Sequence, residues 1–341
     1  MDNRTKNIVY SVVLFALMGA VWLYRQNSEP EKTTHFLIEG QTMGTIYHIK
    51  YIDLEGRMLK DEVDSLLVVF NQSLSTYIKD SEISRFNDND SLVYESQFFY
   101  PILKSSYEIY ENTNGAFEPT VLPLVKAWGF GPGKRQELNE EKVDSLMSYI
   151  GMDKVQFDDH QVKKTEKGVQ LDFSALAKGY GVDVVAQLLD KKGIKDYMVE
   201  IGGEVVCRGV NEKGDVWAIG IDNPKYQEEG GKAASAIVKL KDKALATSGN
   251  YRNFYIKDGK KYAHTLDPRT GYPVQHSLLS ASVFAPDCMT ADAYATAFMV
   301  LGKDSAMQIL SSHSELEGLL IYDEDGELKV FSTDGVDAVK L

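Results

Sequence analysis

The chain has 341 residues, of which 43% are hydrophobic and 26% are charged. These fractions are typical of a globular protein and exclude a largely disordered one. The formal net charge is -13, whereas a nucleic-acid-binding protein is expected to carry a basic patch, so this class is set aside. Residues 1–32 contribute +1 to that charge (four basic against three acidic residues), so the rest of the chain carries -14.

The segment 1–32 is predicted to be a membrane anchor and tether. Residues 8–24 carry no charge and follow Arg4 and Lys6, and at 1.5 Å per residue they reach about 26 Å, the short end of a membrane span. The alternative is a cleaved signal peptide, whose best cleavage pair, Met18 and Ala20, fits poorly. We favour an uncleaved anchor with its N-terminus inside, which places residues 33–341 outside the cytoplasm.

The first half of the remaining chain predicts two strands and three helices. Residues 35–52 alternate like a pair of strands bent at a glycine-containing centre. Apolar residues keep helical spacing over 57–74, 98–113 and 137–151. Asn139 is the expected N-cap of the third helix, and Gly151 lies beyond its end.

The second half mixes strands and helices without a regular βαβ rhythm. Residues 169–193 pass from a strand into a helix that stops at Gly193. Strands are expected over 197–210, 216–222 and 233–242, followed by hairpins that turn at 257–260 and 323–326. Helices are expected over 290–302 and 303–313. The sequence therefore predicts an α+β fold, with mixed sheets and packed helices, in one large domain, 33–341, after the anchor.

The chain contains two cysteines, Cys207 and Cys288. They would be able to pair in an oxidising compartment, but we favour two buried free thiols. Cysteine and histidine show no metal-ligand spacing, so a zinc site is not predicted.

Several stretches rich in glycine, proline and threonine have an ordinary explanation as turns. In 264–273, Pro268 suits the second position of a turn and Gly271 its exit. Gly202 and Gly203 are expected to mark a bulge or a close strand crossing.

Three residues fit a turn explanation poorly. Asp172 precedes a helix that opens with small residues, where free backbone N–H groups face a ligand. Lys178 lies in the first turns of that helix, where a cation gains nothing from the helix dipole, so an anion such as a phosphate explains it better. His264 lies at a strand end and is followed by Asp267, although a structural histidine is the alternative.

Asp292 and Thr296 stand four residues apart in an otherwise apolar helix, and therefore on one face. The structural alternative makes Thr290 the N-cap and Asp292 a first-turn carboxylate favoured by the dipole. Thr296 would then bond back to a carbonyl of its own helix.

Nine short motifs, in this order, resemble the ApbE-type FAD:protein FMN transferases. The resemblance runs from about residue 36 to about 310. The motifs are MGT (43–45), STY with SEIS (75–84), GAFEPTV (115–121), WGFG (128–131), LDFSALAKGYGVD (171–183), IGGE (201–204), TSGNYRN (247–253), HTLDPRTGYP (264–273) and ADAYAT (291–296).

The resemblance implies that the chain binds FAD with Mg2+, splits the pyrophosphate, and attaches FMN through a phosphoester to a Thr or Ser of a partner protein, releasing AMP. It assigns Asp292, Thr296 and the backbone carbonyl of Ala175 to the metal, and His264 to the reaction centre. It also implies an FAD site lined by Met43, Tyr77, Ala116, Phe117, Glu118, Asp172, Lys178 and Leu266.

These residue types suit that chemistry. A hard cation with oxygen ligands neutralises a pyrophosphate as its bond breaks, and a sparse protein shell suits Mg2+ because substrate phosphates complete it. Three positions depart from the family pattern: Glu118 replaces the usual Asp, Ala295 stands where some relatives have another acidic residue, and no early cysteine is present to carry a lipid.

Two other functions stay open. In the first, the chain is a flavin carrier or redox subunit that keeps FAD intact. In the second, it is a pyrophosphatase that hydrolyses FAD to FMN and AMP. A glycine-rich dinucleotide fingerprint is absent after the first predicted strand, which weakens a nicotinamide-linked reductase. For the transferase, the expected acceptor is an exported protein, a subunit of a membrane electron-transfer complex.

Overall fold

The computed structural model describes residues 10, 13–20, 22, 33–133, 135–224, 234–250, 254–257, 260–263 and 265–340, with only the backbone of 254–257, 260–263 and 340. Most of the predicted anchor, and the whole of His264, lie outside these residues. Residues 13–20 are helical. Among the described residues, no helix has both the length and the apolar character that a membrane crossing requires.

The described chain after residue 33 is built from short and medium-length elements. Its α-helices are α1 (Lys60–Leu74), α2 (Glu82–Asp88), α3 (Phe99–Asn112), α4 (Leu122–Trp128), α5 (Glu140–Met147), α6 (Ala177–Lys191), α7 (Cys288–Leu301) and α8 (Lys303–Ser312). Its strands are β1 (Thr34–Thr42), β2 (Thr45–Asp53), β3 (Ser91–Val93), β4 (Val155–Phe157), β5 (Gln161–Lys164), β6 (Asp196–Ile201), β7 (Glu204–Arg208), β8 (Trp217–Asp222), β9 (Ala234–Leu240), β10 (Ala244–Gly249), β11 (Phe254–Lys257), β12 (Lys260–Ala263), β13 (Leu266–Asp267), β14 (Tyr272–Pro273), β15 (Leu278–Ala285), β16 (Glu317–Glu324), β17 (Glu327–Ser332) and β18 (Ala338–Lys340).

An eight-stranded sheet in the order β1-β2-β6-β7-β10-β15-β16-β17 forms the centre of the fold. All of its strand pairs are antiparallel. Smaller antiparallel sheets join β18-β9-β8 and β3-β5-β4. The α+β class is confirmed, but the expectation of mixed sheets is wrong for strand direction, because the named strands of the described chain pair antiparallel, and tight turns join three neighbouring pairs of the central sheet, β1–β2, β6–β7 and β16–β17.

Alternation along the central strands separates two faces of the sheet. In β10 and β15, Ala246 and Val283 pack against the helices, whereas Leu245 and Phe284 pack against the sheet β18-β9-β8. Helices α6 and α7 lie side by side on the first face. The sheet is therefore covered by helices on one face and by the smaller sheet on the other.

The turns between strands follow from their residues. Met43 and Gly44, both with positive φ, connect β1 to β2 as predicted. Gly202 (φ 63°) and Gly203 (φ 106°) form the two-residue turn between β6 and β7, so the expectation of a bulge or strand crossing is wrong. Two consecutive residues with positive φ favour a tight hairpin, and glycine adopts this conformation at no steric cost.

The predicted hairpins at 257–260 and 323–326 are confirmed by the pairing of β11 with β12 and of β16 with β17. The hairpin of β13 and β14 encloses the predicted turn, in which the Gly271 N–H donates to the Asp267 carbonyl at 2.8 Å.

Helix ends are set by local capping. The side chain of Asn139 accepts a hydrogen bond from the Lys142 N–H at the start of α5, as predicted. Gly193, with φ 77°, follows the end of α6. For α7, the side chain of Asp287 accepts from the Thr290 N–H at 2.8 Å. Thr290 is therefore not the N-cap, and Asp292 lies one turn further into the helix than the capping alternative requires.

Candidate active site

A cavity of about 440 Å³ opens where α6, α7 and the ends of several strands meet. This volume lies within the range of small-molecule sites. Its wall includes the first turn of α6, the turn after β6, the end of β8, the end of β10 and one face of α7. Chain segments distant in sequence therefore build it together.

Six of the eight residues assigned to FAD by resemblance line this cavity. They are Ala116, Phe117, Glu118, Asp172, Lys178 and Leu266. The three residues assigned to the metal, Ala175, Asp292 and Thr296, line it as well.

Met43 and Tyr77 are not part of the cavity wall. The Met43 side chain lies against Gly181 of α6, where a Cβ added to the glycine would be 2.4 Å from its Cε. Tyr77 is 72% exposed. Desolvation and, after it, the negative charge of Asp172 raise the pKa of Tyr77, which indicates that the phenol lies near the part of the wall that Asp172 forms.

Glu118 is buried and held in a fixed orientation. Its Oε1 accepts from the Thr120 N–H at 2.8 Å and from the Thr120 hydroxyl at 2.7 Å. That hydroxyl accepts from the Gly151 N–H at 2.7 Å. Burial raises the pKa of Glu118 although these hydrogen bonds oppose it. The Glu118 carboxylate is thus held by a local network that includes Thr120 and Gly151.

Asp172 is also buried, and its Oδ1 accepts from the Ser174 N–H at 2.9 Å. Burial raises the pKa of Asp172, with the hydrogen bonds from Ser174 acting in the opposite direction. The Asp172 N–H donates to the Pro119 carbonyl at 2.7 Å, which ties the segment before α6 to the loop that carries Glu118.

Asp292 reaches from α7 to the start of α6. Its Oδ2 accepts from the Gly179 N–H at 3.0 Å, and Gly179 permits this approach because a Cβ there would lie 2.2 Å from the Cys288 carbonyl oxygen. In a regular helix this N–H would bond to the Ala175 carbonyl, four residues back. Among the described residues, no N–H or O–H group donates a hydrogen bond to the Ala175 carbonyl oxygen.

The Thr296 hydroxyl lies one helical turn from Asp292 and shares a hydrogen bond with the Ser248 hydroxyl of β10, with 3.2 Å between the oxygens. The Thr296 hydroxyl is therefore directed across to the strand. The structural alternative, in which it bonds back to a carbonyl of its own helix, is wrong. Ser248 also lines the cavity.

These oxygens fit a small hard cation. A carboxylate, a hydroxyl and a backbone carbonyl are ligand types that Mg2+ takes, and a single carboxylate leaves positions for substrate phosphate and water. No group of three or more His, Cys, Asp or Glu side chains suited to a metal occurs among the described residues.

Lys178 makes an ion pair with one carboxylate and is within reach of the charge of a second. Its ammonium nitrogen lies 2.6 Å from Oε1 of Glu204, the first residue of β7. Burial disfavours the charge of Lys178, but the charges of Asp292 and Glu204 outweigh it and raise the pKa of Lys178. Burial raises the pKa of both carboxyl groups, with the nearby ammonium opposing it. Lys178 therefore keeps its positive charge in the cavity wall, where Glu204 pairs with it.

The family of the chain follows from comparison with known proteins. The sequence profile described as the ApbE family matches residues 43–320. The chain belongs to the ApbE family. The FAD:protein FMN transferase of Haemophilus influenzae is 38% identical over 310 residues, covering 87% of this chain and 89% of the relative. The Escherichia coli protein of the same name is 35% identical over 311 residues, covering 87% of each.

Solved ApbE structures share the fold. The flavin transferase ApbE from Vibrio cholerae superposes with a TM-score of 0.81 at 35% identity, covering 89% of this chain and 98% of that one. The apo flavinyl transferase ApbE of Pseudomonas stutzeri gives a TM-score of 0.81 at 30% identity, covering 90% and 96%. The predicted ApbE resemblance and the single α+β domain are confirmed.

The assignment of His264 to the ApbE reaction centre stays a prediction, because this residue lies outside the described residues. Its neighbours Thr265 and Leu266 line the cavity.

Glu204 and Ser248 belong to the wall but were not identified from the sequence, although their motifs IGGE and TSGNYRN were. The signal for Glu204 was its charge directly after two glycines. Cys207 and Cys288 are buried and free, as predicted.

Proposed function

We propose that this chain transfers FMN from FAD to a Thr or Ser hydroxyl of another protein and releases AMP. The observation that carries the proposal is the cavity whose wall contains Lys178 together with the oxygen set of Asp292, Thr296 and Ala175. Membership of the ApbE family supports it, since the relatives described above are named FAD:protein FMN transferases.

The side chains of the cavity divide the work of binding. Lys178 would attract the diphosphate of FAD, and the apolar wall of Phe117 and Leu266 would contact its rings. Asp292, Thr296 and the Ala175 carbonyl would hold Mg2+, which when bound supplies Lewis-acid stabilisation of the phosphate charge. Gly179 fixes the Asp292 carboxylate through its N–H, so the carboxylate is oriented before a ligand arrives.

The proposed reaction is a phosphoryl transfer between two oxygens. The acceptor hydroxyl forms a new P–O bond to the phosphorus on the FMN side, the P–O bond to the bridging oxygen breaks, and AMP leaves with that oxygen. The hydroxyl proton must go to a base, because a Thr hydroxyl is a weak nucleophile at its ordinary pKa. We assign this base to His264, on the family resemblance.

The experiment is to incubate the full chain with FAD, Mg2+ and a candidate acceptor, and to measure AMP together with a fluorescent flavin band that survives denaturing electrophoresis. Replacing the acceptor Thr by Ala must remove the band. Asp292→Asn, which keeps the side-chain shape, should abolish Mg2+-dependent AMP release while the protein stays folded. AMP formed at the same rate with and without acceptor, and no flavin band, would show a pyrophosphatase instead.

We also propose that residues 8–24 anchor the protein in the inner membrane, with the catalytic domain in the periplasm and an exported subunit of an electron-transfer complex as acceptor. The uncharged sequence of 8–24 after Arg4 and Lys6 supports the proposal. A reporter that is active only in the cytoplasm, fused after residue 40, should be silent. A mature protein that starts near residue 21–30 would show cleavage instead of anchoring.

A further inference from the structure

Lys178 has two carboxylates near it but makes an ion pair with one of them. Glu204 Oε1 lies 2.6 Å from the ammonium nitrogen, and within the described part of the chain Glu204 is the only carboxylate in ion-pair contact with Lys178. Asp292 acts on Lys178 through its charge, while its Oδ2 is engaged by the Gly179 N–H. The ammonium is thus held on the β7 side of the cavity.

The Glu204 side chain is well placed to hold it there. Its side chain is 4% exposed, and it stands directly after the turn of Gly202 and Gly203, whose hairpin register fixes its backbone. Its second oxygen, Oε2, is buried and has no hydrogen-bond partner among the described residues. The charge of Glu204 is therefore compensated mainly by Lys178, and separating the two would leave a buried charge unpaired.

From this geometry we propose that Glu204 is a positioning residue that holds Lys178 away from Asp292, so that the Asp292 carboxylate stays available to a divalent cation. Without the charge of Glu204, the Lys178 ammonium is drawn to Asp292, a carboxylate in the wall of the same cavity. An ammonium bound there competes with a metal ion for the same oxygen. This inference rests on the proposed metal role of Asp292.

The test is a double-mutant cycle with Glu204→Gln and Lys178→Met, in which the full chain is titrated with Mn2+ alone and with FAD present. Bound Mn2+ is measured from the loss of the free-ion electron paramagnetic resonance signal, so the readout is independent of turnover. Glu204→Gln should weaken Mn2+ binding by about tenfold, the usual size of an effect from a residue that supports a metal ligand. In the Lys178→Met background, the same change should alter binding less than about threefold.

Glu200→Gln is the matched control. It removes a carboxylate from the same hairpin, but the Glu200 side chain is not part of the cavity wall and pairs with His48. The hydrogen bond that it accepts from the Gly203 N–H at 2.7 Å can be kept by the amide oxygen of Gln. Its Mn2+ binding should equal that of the unmodified protein. Thermal unfolding of every variant shows whether the fold is kept, and recovery in the double variant excludes general damage by Glu204→Gln.

Equal losses from Glu204→Gln in both backgrounds would overturn the inference, because they would reflect the summed charge of the cavity and not the position of Lys178. Unchanged binding in Glu204→Gln alone would overturn it as well. Asp292→Asn serves as the reference for the metal site. If Asp292→Asn binds Mn2+ normally, the proposed metal role of Asp292 fails. If Asp292→Asn loses Mn2+ but Glu204→Gln binds it normally, only the positioning role of Glu204 fails.

Discussion

Gly179→Ala tests the close approach of α6 and α7 that brings Asp292 to the helix start. An added Cβ would lie 2.2 Å from the Cys288 carbonyl oxygen, 2.7 Å from its carbon and 2.8 Å from the Asp292 Cβ. The first two atoms belong to the backbone, so one helix must move by about 1 Å to restore ordinary contact distances.

The expected cost follows from two opposing effects. Overpacking a well-packed core costs roughly 1–3 kcal/mol, whereas replacing glycine by alanine inside a helix favours the folded state by about 1 kcal/mol. The free energy of unfolding should therefore fall by up to about 2 kcal/mol. Because the Gly179 N–H now lies 3.0 Å from Asp292 Oδ2, a shift of this size also breaks that hydrogen bond and should raise the Mg2+ concentration needed for AMP release.

Urea unfolding measures the stability, and AMP release over a Mg2+ series measures the site. Gly181→Ala is the matched control in the same helix, since its Cβ would meet the terminal Cε of Met43, a flexible atom that can move aside. Its stability should stay within about 1 kcal/mol of the unmodified protein. If Gly179→Ala matches Gly181→Ala in both measurements, the contact between the helices does not control the site.

Three further predictions concern the ionisable and reactive groups. Asp53→Asn should lower stability by about 2 kcal/mol at pH 7, because hydrogen bonds from the Arg57 side chain lower the pKa of the buried Asp53 carboxyl to about 2. That contribution is present above the unfolded-state value near pH 4 and is lost as the pH falls through 2, so urea curves of the two proteins should converge in acid. Cys207 and Cys288 should react with a thiol reagent only after denaturation, since both are buried and burial raises the pKa of each thiol; labelling of the folded protein would contradict their placement. His264→Ala should lower FMN transfer by about 10²–10⁴-fold with little change in FAD binding if this residue is the base, whereas full activity would remove it from the mechanism.

Local sequence signals predicted the elements well because their causes are local. The positive-φ pair Met43 and Gly44 and the capping residue Asn139 act within a few residues of themselves. The pairing of Asp292 with Thr296 was also visible, since helical spacing alone places both on one face. The capping alternative placed the N-cap of α7 on Thr290, whereas the N-cap is Asp287, three residues earlier. The sequence did not distinguish the two because both side chains can accept a capping hydrogen bond.

The contacts that shape the site were harder to predict because they join distant segments. Lys178 meets Glu204 across 26 positions, and Gly179 meets Asp292 across 113. The strand β8 was predicted, but its place in the cavity wall was not. Its end reaches the cavity because the smaller sheet packs against the central sheet. Met43 and Tyr77 were assigned to the FAD site by their positions in motifs. A motif position does not show whether a side chain lines the cavity or lies next to it.

The order of strands in the central sheet has a consequence for how the protein assembles. Strand β2 pairs with β6, so that His48 stands opposite Glu200, and β7 pairs with β10. Each pair joins strands that are far apart in the sequence, since β2 ends at Asp53 and β6 begins at Asp196, while β7 ends at Arg208 and β10 begins at Ala244. Pairing of such distant strands is slow, because the chain between them loses conformational entropy before the stabilising contacts form. The cavity takes wall residues from the start of β7 and the end of β10, so it is complete only when this pair of strands has formed. A bound FAD would therefore favour the paired state of these strands, by about 2.7 kcal/mol at a hundredfold excess over its Kd, and so slow proteolysis of the chain between them as well as of the cavity rim.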